Sequence, residues 1–317
     1  MPALLRSCLL FLALAVPAHA QDGPVRILVG FAPGGGADLI ARLAADKMKD
    51  TLGVPVVVEN KPGAGGQIAA DQLRTSAPDG KTLMAAPVAV TVIAPLTYRR
   101  LAYDPQRDFA PVSLAVNFQL ALTLGPASGA KTLQEYIDWL KADARRGTYG
   151  VPAVGSLPHF FGVQFARAIG VDAQHVPYKG GGPMLNDLVG GSLAAGFDVL
   201  SEAITLHRAG KVRVVATSGS KRSPIATDIP TFAELGFPQI QGDGWFAFHT
   251  RAGTPKATID RLSAAAGGAI RAPDVTARLL SIGFEPIGSD ADGLARRMQE
   301  DRARWEPVVK ASGYVAD

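Results

Sequence analysis

The chain has 317 residues, 47% hydrophobic and 19% charged, with 32 basic and 28 acidic side chains and a formal net charge of +4. That balance belongs to an ordinary globular protein and excludes a disordered or low-complexity one. The basic residues are scattered, which excludes nucleic acid as an expected partner, because phosphate binding needs them concentrated on one face.

Residues 1–20 read as a secretory signal. Arg6 supplies the positive end, residues 8–16 form an apolar run too short to span a bilayer, and Ala18-His19-Ala20 offers a small-residue cleavage site before Gln21. Cleavage there removes Cys8, the single cysteine, leaving no disulfide, thiol nucleophile or thiolate metal ligand. Cys8 lies inside the apolar run and not just after it, which argues against a lipid anchor. No later segment is long and apolar enough to cross a membrane, so a periplasmic location is expected. Taking 20 residues from 317 leaves 297, more than one core usually supports, and two domains are expected.

The first mature strand, Val25-Arg26-Ile27-Leu28-Val29, empties into Gly30-Phe31-Ala32-Pro33-Gly34-Gly35-Gly36-Ala37-Asp38 and then a helix. Such a junction aims free backbone N–H groups and a positive helix end at whatever lies above the sheet edge, an arrangement suited to an anion. Leu39, Ile40, Leu43, Ala44, Met48 and Leu52 recur at helical spacing before Gly53, a C-terminal stop. A β-branched strand over 54–58, a helix over 67–75 and a strand over 82–86 complete a βαβαβ unit, whose right-handed crossovers make its sheet parallel. Strands over 110–116 and 119–124 follow, then a link at 126–132 into a helix over 133–145, where the chain is expected to change domain. A second alternating stretch has strands at 148–151, 175–177, 195–199 and 212–217 and helices at 157–169, 183–189 and 202–209. Beyond Trp245-Phe246-Ala247-Phe248, three helices over 255–270, 274–282 and 290–311 lack enough strands for a domain of their own and are returned to the first. The fold class is therefore α/β with two lobes: 21–122 plus 247–317, and 123–246. Each lobe is expected to be a mainly parallel sheet flanked by helices, with a cleft at the strand carboxyl ends between two hinge crossings.

Enzymatic signatures are weak. The glycine loop lacks the third glycine of a dinucleotide fingerprint and no P-loop segment exists. Gly190-Gly191-Ser192-Leu193-Ala194 fails as a nucleophile elbow at its last position and follows a helix where a strand is required. His159, His175, His207 and His249 show no metal-ligand spacing, and no cofactor or metal is expected. What remains is four strand-to-helix loops rich in glycine: residues 33–38, 59–66, 155–159 and 176–183. Each would bring free N–H donors to one cleft.

These loops carry a resemblance. Residues 27–42, the segment Val56-Val57-Val58-Glu59-Asn60-Lys61-Pro62-Gly63-Ala64-Gly65-Gly66, residues 77–83, Val176-Pro177-Tyr178-Lys179-Gly180 and residues 230–236 are similar, in order, to the Bug family of extracytoplasmic solute receptors of tripartite tricarboxylate transporters. The resemblance spans essentially the whole mature chain. It implies a two-lobed periplasmic binding protein, a Venus flytrap, that closes as a monomer on a small carboxylate and presents it to membrane permease subunits. The carboxylate could be a di- or tricarboxylate, an amino acid or an aromatic acid. Carried over to this chain, it implies donors from the backbone of Pro33, Gly34, Gly35, Gly36, Ala37 and Asp38 and of Ala64, Gly65 and Gly66, beside Phe31 and Pro87. In the second lobe it implies Ser156, His159, Tyr178, Lys179 and Gly180. Asp38 and Asp198 each have two readings, a structural carboxylate or a partner for a ligand ammonium. Ala37 stands where the family often has a hydroxyl, and Phe160 and Phe161 enter the helix after His159, with core packing their expected use and an aromatic cleft wall the other. Two other functions fit the scaffold: a hydrolase or lyase using Ser156 and His159, the one sequence-adjacent pair, and a receptor that signals to a sensor kinase.

Overall fold

A computed structural model describes residues 23–317, so the signal reading of residues 1–20, Cys8 included, lies outside the described residues. The apolar run after Gly23 is a strand covered on both faces, as its composition requires: β1 (Val25–Val29) has Ile27, Leu28 and Val29 fully buried. After the glycine loop comes α1 (Gly36–Leu52), which buries Ile40, Ala41, Ala44 and Met48 and ends at Gly53, whose φ of 71° lies in the left-handed region open to glycine. Next come β2 (Val56–Asn60), α2 (Gln67–Arg74) and β3 (Thr82–Pro87), and β1 pairs in parallel with both strands.

A π-helical turn (Ala89–Ile93), α3 (Ala94–Thr97) and α4 (Pro105–Asp108) precede β4 (Phe109–Phe118), and after Gln119 alone the chain enters β5 (Leu120–Leu124). These adjacent strands belong to different sheets. The helix expected over 133–145 stops earlier, as α5 (Leu133–Lys141), because Asp143 leaves it to cap a separate turn by accepting from Arg145 N–H at 3.0 Å. Then β6 (Thr148–Val151), α6 (Leu157–Ile169), β7 (Gln174–Pro177), α7 (Gly181–Gly190) and β8 (Ala195–Val199) repeat the first unit, with spatial order β7-β6-β8 matching β2-β1-β3. The chain continues through α8 (Leu200–Arg208) and β9 (Arg213–Thr217) and returns to the first sheet as β10 (Gly244–Arg251). It ends with α9 (Lys256–Ile270), α10 (Pro273–Ser281), the two-residue β11 (Glu285–Pro286) and α11 (Ala291–Ser312).

The sheets run β11-β4-β10-β3-β1-β2 and β7-β6-β8-β5-β9. Both are mixed. In the second, β5 runs against its two neighbours, and in the first β10 does the same, because each enters its sheet from a crossing and not from a βα unit. Of the three C-terminal helices, α9 packs on α1 and β4, whereas α11 contacts both β4 and α6. A single apolar core joins Leu114, Trp245 and Ala247 from the first sheet to Leu122 and Phe197 from the second through Phe161 and Trp305, whose rings lie 5.2 Å apart. The last helix is thus a strut shared by both halves, not a covering of the first alone. Its Asp301 is fully buried and accepts from Trp245 Nε1 at 2.6 Å and Arg297 Nε at 2.7 Å. Arg297 also donates to Asp243 O at 3.0 Å and Asn117 Oδ1 at 3.4 Å, tying down the chain at both crossings.

Candidate functional site

In each half the parallel strands end at one edge, and the glycine loops hang there. In the first, Asn60 Nδ2 donates to Phe31 O at 3.1 Å, Lys61 N–H donates to Val29 O at 2.7 Å, and Gly30 packs so closely on Gly66 that an added Cβ would lie 2.6 Å from its Cα. Phe31, residues 33–38, Ala64, Gly65 and Gly66 are therefore gathered together, with half-buried Pro87 ending the neighbouring strand β3. In the second, Tyr178 N–H donates to Val151 O and Gly180 N–H to Pro152 O, both at 2.9 Å. That contact sets the 176–180 turn beside the 155–159 loop. The first turn of α7 lies on the Asp198 and Glu202 carboxylates, which a methyl group at Gly181 would strike at once.

The two edges are bracketed by contacts from opposite sides. An added Cβ on Gly36 would lie 3.0 Å from Phe284 and 3.2 Å from Phe246, and one on Gly283 would lie 2.7 Å from Ser201 Cβ at the start of α8. On the other side Tyr98, near Gly65, bridges to Ala316, while Tyr314 packs against Gly155 and His159. The loop that opens α1 and the loop that opens α6 thus belong to one interlobe region.

Those two loops share a construction. In the first, Gly34 has φ 88°, Gly35 is the N-cap, and the third helical residue, Asp38, reaches back to accept from Gly34 N–H at 2.9 Å. In the second, Gly155 has φ 76°, Ser156 is the N-cap, and the third helical residue, His159, accepts through Nδ1 from Gly155 N–H at 3.2 Å. Both devices use the third side chain to hold the turn, and both leave amides of the first helical turn without an intrahelical acceptor. The first such hydrogen bonds come only at Leu39 N–H to Gly35 O and Phe160 N–H to Ser156 O. The N–H groups of Gly36, Ala37 and Asp38 in one lobe and of Leu157 and His159 in the other thus precede the first intrahelical hydrogen bonds, and Pro158 has none.

Several side chains singled out from the sequence are occupied within their own lobes. Asp38 is 3% exposed and also accepts from Arg42 Nε at 3.0 Å and Asn60 Nδ2 at 2.9 Å. The Arg42 guanidinium beside it holds its carboxyl down at about 2, against a smaller opposing push from burial. It locks the loop from the third helical position as a structural carboxylate, and the N-cap is Gly35. His159 is 2% exposed, with its ring 4.3 Å from that of His175, and burial with that neighbour holds it at about 4. Ser156 Oγ donates to Ala153 O at 2.7 Å, so Ser156 and His159 form no hydrogen-bonded pair. The Tyr178 hydroxyl donates to Asp187 Oδ2 at 2.8 Å, leaving only the backbone of its turn, while Lys179 and Gly180 are exposed. Phe160 and Phe161 are fully buried core residues.

Asp198 differs. It is 2% exposed and is the penultimate residue of β8, with Oδ1 accepting from Val199 N–H at 2.7 Å and Oδ2 taking no donor. Burial, then the Glu202 charge, pushes its carboxyl up to about 7, and burial raises Glu202 as well. Both carboxyls therefore hold a proton more readily than free ones do, beside the positive end of α7. Sequence reading missed Glu202, although it stands four residues after Asp198 in the first turn of the next helix. It also missed the wall of Phe118, Phe246 and Phe284, with ring centroids 5.4–6.0 Å apart, that backs Gly36.

Comparison with known proteins adds a family to this geometry. The chain matches the model of the TctC family, described as the tripartite tricarboxylate transporter family receptor, over residues 40–314. It is 32% identical over 309 residues to the protein BugT of Bordetella pertussis, covering 95% of this chain and 93% of that one. Among solved structures it is similar to an R. palustris protein with adipate, at 31% identity and a TM-score of 0.80, covering 93% of this chain and 98% of that one. It is also similar to MatC from Rhodopseudomonas palustris with bound malate, at 33% identity and a TM-score of 0.75, covering 91% and 99%.

Proposed function

From the premise that the chain belongs to the tripartite tricarboxylate transporter receptor family, we propose that it holds a small carboxylate between its lobes on the peptide N–H groups that open α1 and α6, and on the 178–182 turn. One observation carries this reading: the turn-locking arrangement built twice, Gly34 with Asp38 and Gly155 with His159, on loops that flank one interlobe region. Neutral peptide donors at helix ends stabilise an anion without a desolvated ion pair and leave it releasable. The cations nearby do not compete for this role, since Arg42 is committed to Asp38 and Lys179 is exposed.

The lobes are 21–122 plus 247–317 and 123–246, bounds supported by the changes of sheet close by, at Gln119 and at the start of β10. Ligand entry closes the lobes about these crossings, and the closed monomer is the form that permease subunits in the membrane accept. No covalent step belongs to this reading: Ser156 Oγ donates to Ala153 O and His159 Nδ1 accepts from Gly155 N–H, so the pair that a hydrolase or lyase would use is not hydrogen-bonded. Periplasmic location through a cleaved signal completes the reading. Adipate and malate, the ligands of the two solved relatives, are the first to test. A thermal-shift panel of these, tricarboxylates, amino acids and aromatic acids, followed by calorimetry, should give one carboxylate class that raises the melting temperature. Turnover of an ester panel lost on His159→Ala, with no carboxylate binding, would reverse the assignment. A receptor that signals to a sensor kinase would bind the same ligand but be dispensable for its uptake.

A further inference from the structure

The face of the first sheet turned away from α1 carries a cavity of about 350 Å³ lined by none of the glycine loops. Its floor is His249 of β10, its walls are Thr91 of the π-helical turn and Phe109 of β4, and α11 closes it with Met298, Gln299 and Arg302. His249 is fully buried with only the Ala247 backbone as a partner for its ring, and Thr91 is 4% exposed with no partner for its hydroxyl. Buried polar side chains are nearly always satisfied, so an unpartnered hydroxyl beside an imidazole with one nitrogen still open calls for an occupant that supplies both a donor and an acceptor. Burial holds the imidazole at about 4, so it is neutral at ordinary pH and offers one N–H and one lone pair. The turn carrying Thr91 is a π-bulge, a rare feature that recurs at functional sites.

The remaining lining fixes the rest of the guest. Val92, Phe109 and Met298 supply apolar lining, and Arg302 is the sole charged residue of the lining. Asp108, next to Phe109, does not oppose an anion there, being paired with Arg107 at 3.0 Å and bonded by Asp104 N–H at 2.9 Å. We propose that this cavity is a second ligand site, for a small hydroxylated aromatic monocarboxylate. The ring lies between Phe109 and Met298, the carboxylate meets Arg302, and the hydroxyl donates to His249 and accepts from Thr91.

The test is independent of the interlobe cleft. In the full chain, 4-hydroxybenzoate is titrated while the His249 ring protons are followed by NMR, and affinity is measured by calorimetry beside benzoate and 4-hydroxybenzamide. The expected result is a saturable shift of the His249 signal, with affinity for 4-hydroxybenzoate at least tenfold above both comparison compounds, each lacking one recognised group. Gly35→Val in the cleft loop leaves the shift in place, and Ala295→Trp, which fills the cavity from α11, abolishes it. A His249 signal unmoved in the wild-type chain overturns the proposal without reference to any variant. A shift that persists in a folded Ala295→Trp protein, or equal affinity for benzoate, overturns it too.

Discussion

Gly35→Val separates the binding role of the first glycine loop from its structural role, and the coordinates favour this position over its neighbours. Gly34 has φ 88°, so any side chain there adds backbone strain, and a Cβ at Gly36 would press on Phe284 and Phe246 at 3.0–3.2 Å. Gly35 has φ −77° and ψ 171°, a backbone any residue adopts, and the nearest atom to an added Cβ is Ala32 O at 3.7 Å. An apolar N-cap costs about 1 kcal/mol, and the stiffer unfolded chain returns about 0.4–1 kcal/mol, so stability should stay within about 1 kcal/mol of the wild type. Binding should respond differently. A hydrogen bond to a charged group contributes about 1.5–3 kcal/mol, so a branched side chain that keeps an anion off two first-turn amides costs roughly 3–6 kcal/mol, a hundredfold or more in Kd. Calorimetry with whichever carboxylate the panel selects, paired with urea unfolding, reads both quantities. A normally folded variant that binds within about threefold of wild type would refute the assignment of these amides as donors.

Asp38→Ala strips the acceptor from Gly34 N–H and Asn60 and should cost about 2–3 kcal/mol in urea unfolding while weakening binding. Because the folded carboxyl is held down at about 2 against an ordinary 3.8, its contribution is complete above pH 4 and lost as pH falls toward 2, so the wild type loses stability over that interval and the variant does not. Asp198 has the opposite sign. With its carboxyl raised to about 7, its contribution is present below pH 3.8 and declines as pH rises through about 7, where a new negative charge forms beside the α7 turn. Carboxylate affinity, followed by calorimetry from pH 6 to 8, should fall in the wild type and stay level in Asp198→Asn; equal slopes would show that the acid pair does not face the ligand. Phe161→Ala empties the contact with Trp305 that joins the lobes and should cost about 3–5 kcal/mol in the same unfolding assay.

Much of this was legible along the chain because its period was clean. The 3.6-residue spacing from Leu39 to Leu52 before Gly53 marked α1, and β-branched runs bounded by glycine marked β1 and β2. The duplicated unit emerged from the same signals. What the sequence left out depends on contacts between distant residues. The π turn at Ala89–Ile93 carries no local signature, and the two residues of β11 exist only because β4 offers a free edge. The shared strut α11 was hidden because Trp305 and Asp301 look like any amphipathic helix until Phe161 and Trp245 are beside them. In the site, glycine and helix starts located the donor loops, but side-chain identity could not tell a guest's partner from a loop lock. Asp38 and His159 proved to be occupied by Gly34 and Gly155, and the carboxylate left short of a donor was Asp198.

The central claim is that amides opening helices in both lobes take hold of one carboxylate. It is tested most directly by ¹⁵N-resolved NMR of the labelled chain during a titration with adipate and, separately, malate. The account predicts that the amide signals of Gly36, Ala37, Asp38 and Leu157 move downfield together and saturate at one stoichiometric equivalent of the ligand that binds. Saturable binding that leaves those four signals still would contradict it.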